Sequence, residues 1–423
     1  MSRIVLMIAL VVSGSQVFAL PFDTGRYFRS TLLDVFGFTN TQLGDLFAVY
    51  GVVAMIAYFP GGALADRYSA RSLMTVSLIA TGLGGLYMAT IPNALGMGVL
   101  YGYWGATTIF LFWGALIKAT RDWGGDQSQG TAFGILESGR GLGVALIGLL
   151  AVFIFDSYMP TDVAGASPAE REASFRMVIY YYTLVTFLSA ALVWFSIPAD
   201  RLANDVEFSP LHGMAAVARR PIVWATAGVV ICAYCGFKGL DNYQLYAVRV
   251  LGMNEVEASK LFTWGMYMRP VAALLAGLIA DRFDSTRSLG VIFAVLCASY
   301  GIWSMSVPDG TGIAIIYVNF FLSFGAVFAL RGIYFALLEE NATPKHLTGA
   351  AVGMISLLGF TPEVFFAPIG GRLLDANPGI VGFQNYFLFL SACAALGIAL
   401  VLAVAWLRRD GAAKLWQDVV RSK

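Results

Sequence analysis

The sequence predicts an all-α membrane protein: twelve transmembrane helices in two pseudo-symmetric six-helix bundles. Three observations carry this. The 423 residues are 58% hydrophobic and only 13% charged, at a mean hydropathy of +0.72. That apolar content is spread along the whole chain, whereas a soluble protein of this length would need far more polar surface. It is also broken by charges and turn signals into runs that can each cross a hydrocarbon core of ~30 Å, and the second half of the chain echoes the first. Lipid cannot satisfy an exposed backbone, so the spans are expected to be helices.

The runs are 4–27, 40–65, 72–91, 95–118, 131–155, 176–197, 221–247, 258–281, 287–306, 311–338, 347–374 and 382–407. The first, within MSRIVLMIALVVSGSQVFALP, has the look of a secretory signal. Eleven more runs follow it, however, and the repeat needs it as its first helix. The 27 basic residues orient the spans. With both termini cytoplasmic, most fall in the termini and cytoplasmic loops, while Arg29, Arg171, Arg176, Arg249, Lys260 and Arg372 fall outside. This positive-inside bias predicts a multi-pass protein of the inner or plasma membrane. Arg26, Arg140, Lys238, Arg269 and Arg331 lie within spans and need explaining. The polar interval 198–220 separates six spans from six. The expected organisation is a bundle over 1–197, a cytoplasmic linker over 198–220, a bundle over 221–407 and a cytoplasmic tail over 408–423.

Several functions are disfavoured. A net charge of +1 names no partner, and nothing resembles a nucleic-acid-binding patch. Cys232 and Cys235 form CAYC, but inside a span and with no second pair, so they read as small helix-packing residues. No nucleophile–base set, phosphate loop or metal constellation is evident. No enzyme activity, cofactor or metal is therefore expected.

The repeat is legible in two places. GALADRYSARSL (62–73) matches GLIADRFDSTRSL (277–289), which puts Asp66 on Asp281 and Arg67 on Arg282 at an offset of 215. GTAFGILES (130–138) matches GAAVGMISL (349–357) at 219. Parallel six-helix repeats suit a secondary transporter with its site where the repeats meet.

GGALADRYSAR closely resembles the G-x-L-a-D-r-x-G-r-r signature between helices 2 and 3 of the major facilitator superfamily, with Ser69 in place of the usual Gly. The likeness covers essentially the whole chain. It implies that Asp66, Arg67 and Arg71, with Asp281 and Arg282 in the second copy, latch the outward-facing state. Lys118, in WGALIK, resembles the superfamily's basic residue at the cytoplasmic end of helix 4. Within the superfamily, FTNTQLG (38–44) and KGLDNY (238–243) are similar to stretches of the organophosphate:phosphate antiporters. The phosphate-binding residues of that branch depart here. Its helix 1 arginine falls on Asp23, its helix 7 arginine on about Gly236, and its helix 5 histidine on Arg140.

The same offset of 215 maps FDTGR (22–26) onto FKGLD (237–241), with the charges reversed. The resemblance to the superfamily implies that the first and seventh helices face each other across a cavity, which would set an acid then a base opposite a base then an acid. Bridges Asp23–Lys238 or Arg26–Asp241 are expected. Charge at membrane depth is costly and usually functional, although each helix can also satisfy its own i,i+3 pair. Glu137 and Arg140 share a face of the fifth helix, Arg331 lies within the tenth, and Glu363 stands between Pro362 and Pro368, where the eleventh is expected to break. The core holds five bases against Asp23, Glu137, Asp241 and Glu363, and guanidinium groups suit oxyanions.

The expectation is a monomeric carrier of a small organic anion working by alternating access, with protons as a candidate coupling ion. Arg26, Tyr27, Lys118, Arg140, Lys238 and Arg331 are the candidate binding residues. Asp23, Glu137, Asp241 and Glu363 are the coupling or gating candidates. The alternatives are an exporter of a drug or siderophore-like amphiphile and a membrane sensor on the same scaffold.

Overall fold

The computed structural model describes residues 3–125, 129–198, 216–307, 313–341, 343, 348–409 and 411, nearly all of them helical, joined by turns and short irregular connections. Among the described residues, eleven helices are long and apolar enough to cross a membrane. In chain order, with Asn40–Arg67 and Ala70–Met88, they give α1 (Arg3–Tyr27), α2 (Asn40–Arg67), α3 (Ala70–Met88), α4 (Ala94–Gly124), α5 (Thr131–Tyr158) and α6 (Pro168–Ser196). There follow α7 (Pro221–Arg249), α8 (Glu255–Ile279), α9 (Ser285–Met305), α10 (Ala314–Ala336), α11 (Ala350–Ala376) and α12 (Ile380–Arg408). Of these twelve described helices, α3 alone falls short on apolarity. Its 19 residues suffice for ~28 Å at 1.5 Å per residue, but Arg71, together with the helix's serines, threonines and glycines, dilutes its hydropathy.

The helix starts are written in the sequence. Thr39 and Gln42 form a capping box at α2, as do Ser167 and Glu170 at α6 and Asn254 and Glu257 at α8. Ser69 and Asn93 cap α3 and α4.

Interruptions in α1, α4, α7 and α11 position the candidate site. In α1, Ala19–Asp23 is π-helical. Pro21 contributes no N–H to the ladder, and the Thr24 N–H bonds the carbonyl of Ala19, five residues back. The α4 segment Ala106–Trp113 is also π-helical. A 3₁₀ turn, Leu240–Asn242, interrupts α7. The α11 helix stops at Gly359 and restarts at Pro362. Such bulges are frequent at functional sites.

The residues group into two compact units. One comprises Met1–Asp205, Asp241–Tyr267 and Glu363–Gly379; the other comprises Val206–Leu240, Met268–Pro362 and Ile380–Lys423. The cut points fall at the α7 turn, the joint between Met266 and Met268 in α8, and the α11 restart. This grouping follows packing, whereas the ranges 1–197 and 221–407 follow the repeat. The first unit has a core of Leu10, Met74, Leu78, Phe112, Leu116, Leu136 and Val193, drawn from α1, α3, α4, α5 and α6. In the second, Trp303 stacks on Phe387 at 5.0 Å, and the Tyr386 hydroxyl donates to the Gly239 carbonyl where α7 meets α12.

Candidate functional site

The site is built where α1 and α7 break. The wide π turn ending at Asp23 turns the next residues inward, so that Asp23 is 4% exposed. Arg26 Nε donates to Asp241 Oδ1 at 2.6 Å, while its Nη1 lies 3.5 Å from Asp23 Oδ1. The guanidinium also lies over the Phe22 ring, 5.4 Å from its centroid. One base thus holds two carboxylates in a nearly dry setting, an arrangement that persists only with both partners in place. The Arg26–Asp241 bridge expected from the repeat is present.

Further interactions in the same unit join residues 1–205 to 241–267 and 363–379. Ser30 N–H donates to Gln244 Oε1, and Gln244 Nε2 to the Ser30 hydroxyl, both at 3.0 Å. Arg171 pairs with Glu255, Lys260 with Asp156 and Arg372 with Asp45, each at 2.8 Å. Asp375 accepts from Asn40 N–H, Asn40 Nδ2 and Thr41 N–H at 3.2, 2.8 and 2.7 Å, a carboxylate held on the first turn of α2. There α2 and α11 pack backbone to backbone. A Cβ on Gly51 would stand 2.7 Å from the Glu363 carbonyl, and one on Gly44 or Gly371 would clash with the Ala367 or Asn40 carbonyl.

The other candidates are more dispersed. Arg140 Nε donates to the Gly14 carbonyl at 2.9 Å and Nη1 to Glu137 at 2.5 Å, with Trp113 and Phe18 rings 5.4 and 5.8 Å from its guanidinium carbon. Glu137 is not in the core as expected. Arg140 turns inward to α1, and its i−3 partner stays at the rim with its side chain 49% exposed. Tyr27, expected to touch ligand, is wholly buried, because the break at Phe28 turns its ring onto Phe262 and its hydroxyl donates to the Val144 carbonyl. Lys118 Nζ donates to the Ala65 carbonyl at 3.1 Å. Glu363 opens the restarted α11 helix. Arg29, expected in an outer loop, is 2% exposed in a short helix, Arg29–Phe36.

In the second unit Lys238 is 1% exposed near the end of the first α7 segment. Arg331 stacks on Phe237 at 3.9 Å and lies 5.5 Å from the Tyr234 centroid. Arg269 lies over Phe328. Glu340, beyond α10, accepts from Ser285, Thr286 and Arg408. Burial pushes the Glu340 carboxyl up, but those hydrogen bonds more than offset it and hold it below its ordinary value. Cys232 and Cys235 are buried free thiols.

Of the expected latch, Arg67 is exposed, Arg71 lies over the Trp194 ring at 4.3 Å and Arg282 over Phe283 at 5.6 Å. The Asp66 and Asp281 side chains lie outside the described residues, as do most of the 198–220 linker and of the 408–423 tail. Sequence reasoning missed Asp45, Asp375, Glu255 and the glycines of α2 and α11. Thr39 and Gln42 cap α2 locally, but nothing local marks a carboxylate more than 300 positions away as its second cap.

Long apolar helices, a repeat, and buried charges at helix breaks define a multi-pass membrane transporter of the repeat-built helical class. Residues 4–362 match the Major Facilitator Superfamily, and the chain belongs to that family. It is similar to the inner membrane protein YqcE of Escherichia coli (strain K12), 30% identical over 92% of this chain and 91% of that one. It is also similar to the probable nitrate/nitrite antiporter NarK1 of Thermus thermophilus, 21% identical over 84% of this chain and 82% of that one. Among solved structures, a mutant of the nucleoside transporter NupG has a similar fold, with a TM-score of 0.74 at 13% identity over 95% of this chain and 99% of that one.

Proposed function

We propose that this protein is a secondary active carrier of a small organic anion, such as a sugar phosphate, sugar acid, carboxylate or sulfonate. It works by rocker-switch alternating access in the inner or plasma membrane, as a monomer with cytoplasmic termini, coupled to protons or to exchange. One observation carries the substrate class. Arg26, Arg140 and Arg331, all within spans, each lie over an aromatic ring. Stacking occupies the face of a guanidinium; at Arg331 it leaves the N–H edge to grip an oxyanion in a fork, whereas Arg26 and Arg140 give theirs to Asp241 and Glu137 and would have to release them. The likeness to a nitrate/nitrite antiporter adds modest support.

In this reading Arg26, Arg140, Lys238, Lys118 and Arg331 supply positive charge along the path. Asp23, Asp241, Glu137 and Glu363 gate it or carry protons. The Arg26–Asp241 pair holds one side shut and must part for the other state to form. Asp66, Arg67 and Arg71 with Asp281 and Arg282 latch that other state.

A thermal-shift panel of sugar phosphates, sugar acids, sulfonates and carboxylates on the purified protein tests this. Organic anions should stabilise it, with the shift lost in Arg140→Ala or Lys238→Ala. Stabilisation by neutral or cationic solutes alone would exclude the reading.

A further inference from the structure

The cations of the spans are not equivalent. Arg26 is already neutralised by Asp241 and Asp23, Arg140 is engaged by Glu137 and the Gly14 carbonyl, and Lys118 donates to Ala65. Arg331 has no carboxylate or carbonyl partner among the described residues, and its Nη1 is buried without an acceptor. A buried charged N–H left unpaired is costly and calls for an explanation.

The surroundings of Arg331 suggest one. Its guanidinium lies face-on to Phe237 at 3.9 Å, beside Tyr234. Tyr234 in turn packs on Phe360, at the α11 break, at 5.0 Å, and on Phe237 at 5.6 Å. Three rings from α7 and α11 thus form a wall beside an unengaged guanidinium from α10. Stacking fixes the plane of the fork, so less freedom is lost when an acceptor arrives.

We propose that Arg331 is the anion anchor of the carrier. Its ligand is an oxyanion with an apolar or ring-shaped body, whose acidic group bonds the Arg331 N–H edge while its body lies on Phe237, Tyr234 and Phe360. The proposal rests on the organic-anion reading and sharpens it: the acidic group alone is not enough, and Arg26 belongs to the gate.

The test measures binding of phenylphosphate, benzoate, acetate and inorganic phosphate to the purified full-length protein, by thermal shift and by tryptophan fluorescence. Wild type should bind the ring-bearing probes at least roughly 10-fold more tightly than acetate or phosphate. Arg331→Gln should weaken them by a further factor of about 10 to 100, the loss of one charge-assisted fork. Arg331→Lys, which keeps charge but loses planarity, should fall between. Phe237→Leu should weaken the ring-bearing probes and leave inorganic phosphate unchanged, so the proposal does not depend on one variant folding. Ring-bearing probes that bind Arg331→Gln as tightly as wild type would overturn the anchor and leave the organic-anion reading standing. Equal affinity for phosphate and phenylphosphate would overturn the aromatic wall. If none of the four anions bound wild type, the anchor would fall, and the panel of sugar phosphates, sugar acids and sulfonates would decide the organic-anion reading.

Discussion

Arg26 is hydrogen-bonded to its own repeat counterpart. Its Nε meets Asp241 Oδ1 at 2.6 Å, and the two stand 215 positions apart, the offset that aligns the two signature copies. An acid–base pair reversed between the repeats thus becomes one bridge between them. Both side chains are nearly buried, at 11% and 6% exposure. Removing either partner strands a charge, a loss of about 3–5 kcal/mol for buried pairs. Arg26→Ala and Asp241→Ala should therefore unfold well below wild type. The double swap Arg26→Asp with Asp241→Arg should recover most of that loss. A swap no more stable than the single variants would show that the pair acts separately.

The approach of α2 to α11 depends on glycine at 44, 51 and 371, where a Cβ would meet backbone that cannot move aside cheaply. Gly44→Val and Gly371→Val should force the helices apart, at about 1–3 kcal/mol each as for other overpacking. A cysteine placed beside the contact should then react faster with a bulky maleimide. An unchanged labelling rate would mean that the helices tolerate the methyl groups without separating.

Asp375 holds two backbone N–H groups and one side-chain amide at the start of α2, although the Thr39–Gln42 box already caps that helix. The intrinsic cap maintains the helix, so Asp375→Ala should leave helix content unchanged. The loss should be about 1–2 kcal/mol, the scale of a cap, and should appear as a weaker α2–α11 contact. Circular dichroism and the same cysteine labelling separate the two outcomes. Lost helicity with unchanged labelling would count against this account.

Glu340 gives a pH dependence of definite sign. Its carboxyl is held below the ordinary value of 4.5 in the folded protein, so its contribution is full above that value. The contribution fades as pH falls through the folded pKa, where the carboxylate takes up a proton and loosens from Thr286 and Arg408. Wild type should lose more stability than Glu340→Gln when titrated from pH ~6 to pH ~3. Parallel curves for the two proteins would remove Glu340 from the linkage.

Much of this was legible from local pattern. Hydropathy placed the spans, and the signature with its second copy fixed the repeat. The offset then aligned Arg26 with Asp241, and the family resemblance set their two helices face to face. The α11 break was expected between Pro362 and Pro368; it lies just before Pro362, which opens the second segment, and the helix runs on through Pro368. What stayed hidden depends on three-dimensional packing. The π turn of α1 needs the register shift at Pro21 as well as its apolar pattern. Arg29 looked like a loop cation because nothing local shows the short helix that buries it. Asp375 on Asn40 and Arg372 on Asp45 join residues over 300 positions apart, where periodicity says nothing.

The central claim is that the protein carries organic anions across a membrane by opening and closing the Arg26–Asp241 bridge. Uptake of radiolabelled sugar phosphates, sugar acids, sulfonates and carboxylates into proteoliposomes containing the purified protein tests it most directly. The account predicts saturable uptake of at least one of these classes, abolished in Arg26→Ala and partly restored by the Arg26–Asp241 swap. Uptake confined to neutral or cationic solutes, or organic-anion uptake undiminished in Arg26→Ala, would contradict it.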